Sequence, residues 1–139
     1  MSKTKLKIEN LYKIFGPRGK SFIDPVKDGM SKQELLDNHS HVLGLNNINL
    51  DIPEQRIQVI MGLSGSGKST LLRIIAGLPV AAKFEGQVKA DDQLGLSGRI
   101  GYMAQQDLLL NWATVRDNIA LGSRLRGEAC PLDRISDII

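Results

Sequence analysis

Nine consecutive residues, Gly62-Leu63-Ser64-Gly65-Ser66-Gly67-Lys68-Ser69-Thr70, constrain this chain more than any other feature. They fit the spacing Gly-x-x-x-x-Gly-Lys-Ser/Thr, in which a glycine-rich loop wraps a phosphate chain with its backbone amides. The flanks supply the context that such a loop needs. Ile57-Gln58-Val59-Ile60-Met61 is mostly apolar and rich in branched side chains, which predicts a short buried strand. Leu71, Leu72, Ile74 and Ile75 recur at helical spacing, which predicts a helix from about Lys68 to Ala76, closed by Gly77. Gly62 and Gly67 allow backbone angles and close approaches that a Cβ would obstruct, while Gly65 and Ser66 keep the loop small. The loop amides and the helix start then face a β-phosphate together. Lys68 is expected to bridge the β- and γ-phosphates as a point charge, and the Ser69 hydroxyl to ligate Mg²⁺. Thr70 supplies either a second phosphate contact or a simple hydroxyl at the helix start. The expected binding set from this run is Gly62, Ser64, Gly65, Ser66, Gly67, Lys68, Ser69 and Thr70.

Composition narrows the class. The 139 residues suffice for one modest core, and 42% apolar content argues against disorder. Net charge is +3, from 18 basic and 15 acidic side chains. Six of the basic residues lie in the first twenty positions beside one acid, Glu9. They read mainly as a solvated face, with contact to a membrane surface or nucleic acid as the alternative; no nucleic-acid partner is expected. Cys130 is the single cysteine, so an intramolecular disulfide and a cysteine metal cluster are excluded, and a reducing compartment is the simpler home. No run approaches the eighteen apolar residues of a membrane span, and the basic start Met1-Ser2-Lys3-Thr4-Lys5 is not followed by an apolar block. The expected location is the cytoplasm, with membrane attachment only through a partner.

Along the chain, Lys5-Leu6-Lys7-Ile8-Glu9 and Ile48-Asn49-Leu50-Asp51-Ile52 alternate as half-exposed strands do, and Pro53 ends the second. Residues 17–44 read as an insertion carrying a short helix from Lys32 to Asn38. Ser31 caps it, Glu34 closes a capping box, and Met30 staples against Leu35. His39 and His41 follow; without a carboxylate or cysteine at ligand spacing they read as solvated loop residues rather than metal ligands. Gly86-Gln87-Val88-Lys89 predicts a strand, and Asp91-Asp92 an exposed turn rather than a Mg²⁺ site. Arg99-Ile100-Gly101-Tyr102-Met103 predicts a further strand, with Gln105-Gln106-Asp107 leaving its end, where polar groups meet ligands in α/β sheets. Asp117 to Arg126 is compatible with a helix and Gly127 with its end; Pro131 opens a short tail.

With these residues in place, the chain resembles the first part of an ABC transporter ATP-binding subunit. The resemblance rests on the P-loop with its trailing Leu71-Leu72-Arg73-Ile74-Ile75-Ala76-Gly77-Leu78, on Ile100-Gly101-Tyr102-Met103-Ala104-Gln105, and on Thr114-Val115-Arg116-Asp117-Asn118-Ile119. It implies an α/β P-loop NTPase fold, the N-terminal portion of an ABC ATPase domain with a small antiparallel β portion, and it covers residues 1–139. It also implies ATP and Mg²⁺ as cofactors. Phe15 then resembles the aromatic that stacks on adenine, with a core role as the alternative. Gln105 resembles the Q-loop glutamine that reaches Mg²⁺ and the attacking water and links the site to the membrane subunit. The implied partners are a transmembrane permease, a second ATP-binding subunit and a solute-binding protein, with the subunit peripheral at the inner face of the membrane. The stretches 11–16, 29–32 and 59–69 look most like glycine betaine or proline importers, and Leu109 to Val115 also like importers of other small polar solutes. Trp112 is either near the coupling surface or a packing residue. Glu54-Gln55 and Asn111 depart from the family pattern without touching the phosphate chemistry.

An Asp-Glu pair ending an apolar strand, a Leu-Ser-Gly-Gly-Gln signature and a later switch histidine do not occur in this sequence. Phosphoryl transfer to water needs an oriented water and charge stabilisation besides a phosphate cradle. The chain therefore reads as truncated before the signature and Walker B, able to bind ATP and not to hydrolyse it, with an exposed sheet edge and marginal stability. Two other classes compete: a noncatalytic nucleotide-binding or regulatory fragment, and another P-loop kinase or NTPase. A GTPase would usually carry Asn-Lys-x-Asp, which is missing from the sequence.

Overall fold

The computed structural model describes residues 3–129, so the expectations for Cys130 and for the tail from Pro131 lie outside the described residues. The chain divides into two compact units, the first ending at Tyr102 and the second beginning at Met103.

The first unit is built on a three-stranded antiparallel sheet. Its strands are β1 (Thr4–Phe15), β2 (Val42–Pro53) and β3 (Phe84–Ala90), in the order β2-β1-β3. The expected alternating strands at 5–9 and 48–52 lie within β1 and β2, and the strand expected at 86–89 lies within β3. Ile8 pairs with Leu50 while Leu11 pairs with Ile48, so β1 carries one extra residue at that point, beside Asn10 with its φ of 49°. An extra residue reverses the two-residue alternation of side chains. As a result Ile8 and Leu11 enter one core, with Leu45, Leu71, Ile74 and Ile75, whereas Tyr12 and Ile14 enter another, with Ile23, Val26 and Leu35.

Each core receives a helical layer. The insertion folds as a 3₁₀ turn (Gly19–Phe22), α1 (Ile23–Lys27) and α2 (Lys32–His39). Ser31 Oγ accepts from the Glu34 amide at 3.1 Å and the Glu34 carboxylate accepts from the Ser31 amide at 2.8 Å, so the expected capping box forms. Met30 packs on the Leu35 cluster as the staple requires. The other core is covered by α3 (Lys68–Ile75), whose Leu71, Ile74 and Ile75 are buried. This helix begins at the residue expected from its apolar spacing.

Two expected strands do not form. Residues 57–61 run without ladder partners among the described residues; Ile57 is 94% exposed and Met61 87%, and only Ile60 packs against the core. A strand apolar on both faces is held by neighbours on both edges and layers on both faces. Among the described residues no strand lies beside this one. Residues 99–103 are likewise turn and irregular chain, with Ile100 alone reaching the core.

Three polar expectations also change. His41 is buried rather than solvated, with Nδ1 2.6 Å from the His39 carbonyl oxygen and Nε2 2.7 Å from that of Pro17. The left-handed turn at Ser40 (φ 55°) ends α2 and returns the chain to the sheet, which brings the ring inward. No group of three or more His, Cys, Asp or Glu able to hold a metal occurs among the described residues. The basic start is mainly the expected solvated face, with Lys3, Lys5, Lys7, Arg18 and Lys20 exposed and the first two paired with Asp91, but Lys13 is fully buried.

Asp91 does sit in a turn, but with little exposure, 2.8 Å from Lys3 Nζ and 3.0 Å from Lys5 Nζ. The hydrogen bonds from Lys3 and then Lys5 hold its carboxyl down from 3.8 to about 2. A carboxyl depressed by folding contributes stability that is complete above its unfolded value near 3.8 and is lost as pH falls through about 2. Denaturant midpoints of wild type and Asp91→Asn are therefore expected to converge between pH 4 and pH 2. Parallel pH profiles would remove this role.

The second unit holds α4 (Val115–Leu125). It begins two residues before the expected position because Thr114 caps it, accepting from the Asp117 amide at 3.1 Å. Gly127 follows its end in the left-handed region, as expected. The Asn118 side chain accepts from the Leu110 amide at 2.7 Å and donates to the carbonyls of Leu110, Ala113 and Thr114. This clasp fixes the loop that carries Trp112, which is 84% exposed. Among the described residues no helix is long and apolar enough to cross a membrane.

Candidate functional site

The P-loop leads directly into α3, and its geometry follows from one glycine. Gly67 has φ 90°, and a Cβ there would lie 2.3 Å from the Gly44 carbonyl oxygen and 2.9 Å from Leu45 Cδ2. Only a residue without a side chain brings the loop this close to β2. Gly67 is also the N-cap of α3, so no side chain caps the helix, and its first turn carries no acid. Orphan amides and the positive end of the helix dipole are thus left facing the loop.

Lys68 adds a full charge at the same place. Its Nζ donates to the carbonyls of Gly62 and Leu63, at 2.8 Å each, and lies 3.3 Å from Ser66 Oγ. All three partners are neutral, so the ammonium is positioned by the loop and its charge is not compensated there. Ser66 in turn donates its amide to the Leu63 carbonyl at 3.2 Å, closing the turn. Among the described residues, free helix-start amides, one cation and a first turn without an acid fit a polyphosphate. Gly62, Ser64, Gly65, Ser66, Gly67, Lys68, Ser69 and Thr70 therefore share one local arrangement, with Ser69 exposed and Thr70 half-buried at the helix start.

Phe15, at the end of β1, is half-buried and belongs to neither core cluster. One side of its ring lies on Gly44, where an added Cβ would be 2.5 Å from Cε2. Lys13 Nζ stands 5.1 Å from the ring centroid. The same ammonium donates to the carbonyls of Ala81, Ala82 and Lys83, and burial holds its pKa below the ordinary lysine value. Neither Lys13 nor Gly44 stands out in the sequence. The available signal was a polar residue in register with Leu11 and Phe15, and a glycine between two leucines in a strand. Gln105 belongs to the second unit, where it is exposed in a bend.

Fold and site together define a P-loop nucleotide-binding protein of mixed α/β architecture. The chain belongs to the ABC transporter family, whose model matches residues 45–137, and it is an ATP-binding domain segment of that family. It is 36% identical over 132 residues to the glycine betaine/proline betaine transport system ATP-binding protein of Escherichia coli (strain K12), covering 88% of this chain and 33% of that protein. It is 33% identical over 136 residues to the trimethylamine N-oxide transport system ATP-binding protein of Pelagibacter ubique (strain HTCC1062), covering 91% and 40%. With the taurine import ATP-binding protein of Ruegeria pomeroyi it shares 37% identity over 95 residues, covering 67% and 35%. The chain thus spans between a third and two fifths of the length of these curated relatives. Domains of this family bind ATP with Mg²⁺.

Proposed function

We propose that this chain is the nucleotide-binding part of an ABC importer ATPase subunit that energises uptake of a small polar solute of the glycine betaine or proline class. The observation that carries the reading is the P-loop itself: Gly67 pressed on β2, an uncapped helix start, and Lys68 held by neutral oxygens. Lys68 and the loop amides would bind the phosphates, the Ser69 hydroxyl would hold Mg²⁺, and Phe15 would receive the adenine. Mg²⁺ supplies charge neutralisation at the β- and γ-oxygens when bound.

Coverage supports the solute class. Betaine and trimethylamine N-oxide relatives align over 88% to 91% of the chain, whereas the taurine and sulfonate relatives align over 67% to 75%. Partners of the whole subunit are a permease, a second ATP-binding subunit and a solute-binding protein, and the subunit sits at the inner face of the membrane through the permease. The test is uptake by liposomes holding the complete subunit with its permease, comparing labelled glycine betaine, trimethylamine N-oxide and taurine. Preference for taurine would overturn the solute class.

The 139-residue chain by itself is expected to bind ATP without turning it over, because it contains the phosphate cradle and not the acidic pair or signature. Phosphate release from purified chain is expected to equal that of Lys68→Ala. Turnover present in wild type and lost in that variant would reveal a catalytic group among residues 1–139.

A further inference from the structure

One peptide touches both parts of the proposed nucleotide site. Leu43 pairs with Ile14 and Leu45 with Lys13, so Gly44 is an extra residue of β2 without its own partner on β1. Extra residues of this kind re-aim the chain locally. At Gly44 the bare Cα supports the ring: a Cβ would lie 2.5 Å from Phe15 Cε2 and 3.0 Å from Cδ2. Its carbonyl oxygen faces the P-loop, at the point where a Cβ on Gly67 would come within 2.3 Å. The Lys13 ammonium, anchored on the 81–83 carbonyls, stands over one face of the ring, 5.1 Å from its centroid, and leaves the other face for a base. A methyl group at position 44 would therefore push against a ring whose neighbours are fixed.

We infer that Gly44 is a positioning residue that sets the spacing between the Phe15 ring and the phosphate-binding loop, and thereby gives the site its preference for a triphosphate carrying a planar base over a bare triphosphate. This rests on the reading of Phe15 as the base platform. Phosphate binding depends on Lys68 and the loop amides, which need no ring. The base contributes only when ring and loop stand one base-to-triphosphate span apart.

The test is calorimetric titration of the 139-residue chain with Mg-ATP and with Mg-tripolyphosphate, in wild type, Phe15→Ala, Gly44→Ala and the double variant. The quantity read is the ratio of the two affinities. Phe15→Ala is expected to lower it roughly tenfold, the scale of one base–aromatic stack. If it does not, the reading of Phe15 fails and the inference with it. Gly44→Ala is expected to lower the ratio to a similar extent, and to have no further effect on it once Phe15 is alanine. A ratio untouched by Gly44→Ala, or lowered equally in both backgrounds, overturns the positioning role while leaving Phe15 in place. Where Gly44→Ala alone does not fold, the double variant decides. Recovery of the fold on removing the ring supports the contact, and continued failure overturns it.

Discussion

In Lys68→Ala, affinity for Mg-ATP is expected to fall roughly 10- to 100-fold, the effect of losing a charged hydrogen-bond donor opposite phosphate. The fold is expected to persist. Nζ is tied only to Gly62, Leu63 and Ser66 of its own loop, and none of the residues in the α3 core contacts depends on it. Alanine is also a strong helix former at the start of α3. The residual binding measures what the uncapped amides and the ring supply without the ammonium. Calorimetric titration beside a circular dichroism spectrum of each protein checks both halves of the expectation. Equal affinity in two folded proteins would exclude the P-loop as the nucleotide site.

This site was legible in the sequence to the extent that it is local. The Gly62–Thr70 spacing, the helix start at Lys68 and the capping box of Ser31 and Glu34 all depend on residues within a few positions of one another, and all appear in the structure. What could not be read depends on chain segments far apart in sequence. Gly44 becomes a contact of the P-loop only because an extra residue in β2 brings it opposite Gly67. Lys13 is buried because carbonyls some seventy residues away receive its ammonium. Asp91 is held by Lys3 and Lys5 because β1 and β3 pair as neighbours, with Leu6 opposite Ala90. His41 is buried through a turn whose consequence is set by where Pro17 lies.

The missing strand at 57–61 has a different origin, since its apolar, branched composition is that of a strand. Ile57, Val59, Met61 and Leu63 are exposed, as is Gln58 between them, and only Ile60 packs on the core. Apolar content identified the segment as sheet-forming. Ladder partners, which no local pattern supplies, decide whether a sheet forms there.

That segment sets the last expectation, self-association of the 139-residue chain. Val59 is 64% exposed and Leu63 86%, beside Ile57 and Met61, and the backbone of 57–61 has no ladder partner among the described residues. An exposed apolar run without ladder partners is a template for pairing with a second copy. Side chains left in water also withhold burial from a net stability of only about 5 to 15 kcal/mol in ordinary domains. The sedimentation coefficient is therefore expected to rise with protein concentration, and the denaturant midpoint to lie low. Val59→Lys places a charge on the exposed face without entering the core, so it is expected to restore the monomer while leaving Mg-ATP affinity unchanged. A cooperative monomer of ordinary stability at high concentration, before any substitution, would mean that 57–61 finds its partners within this chain.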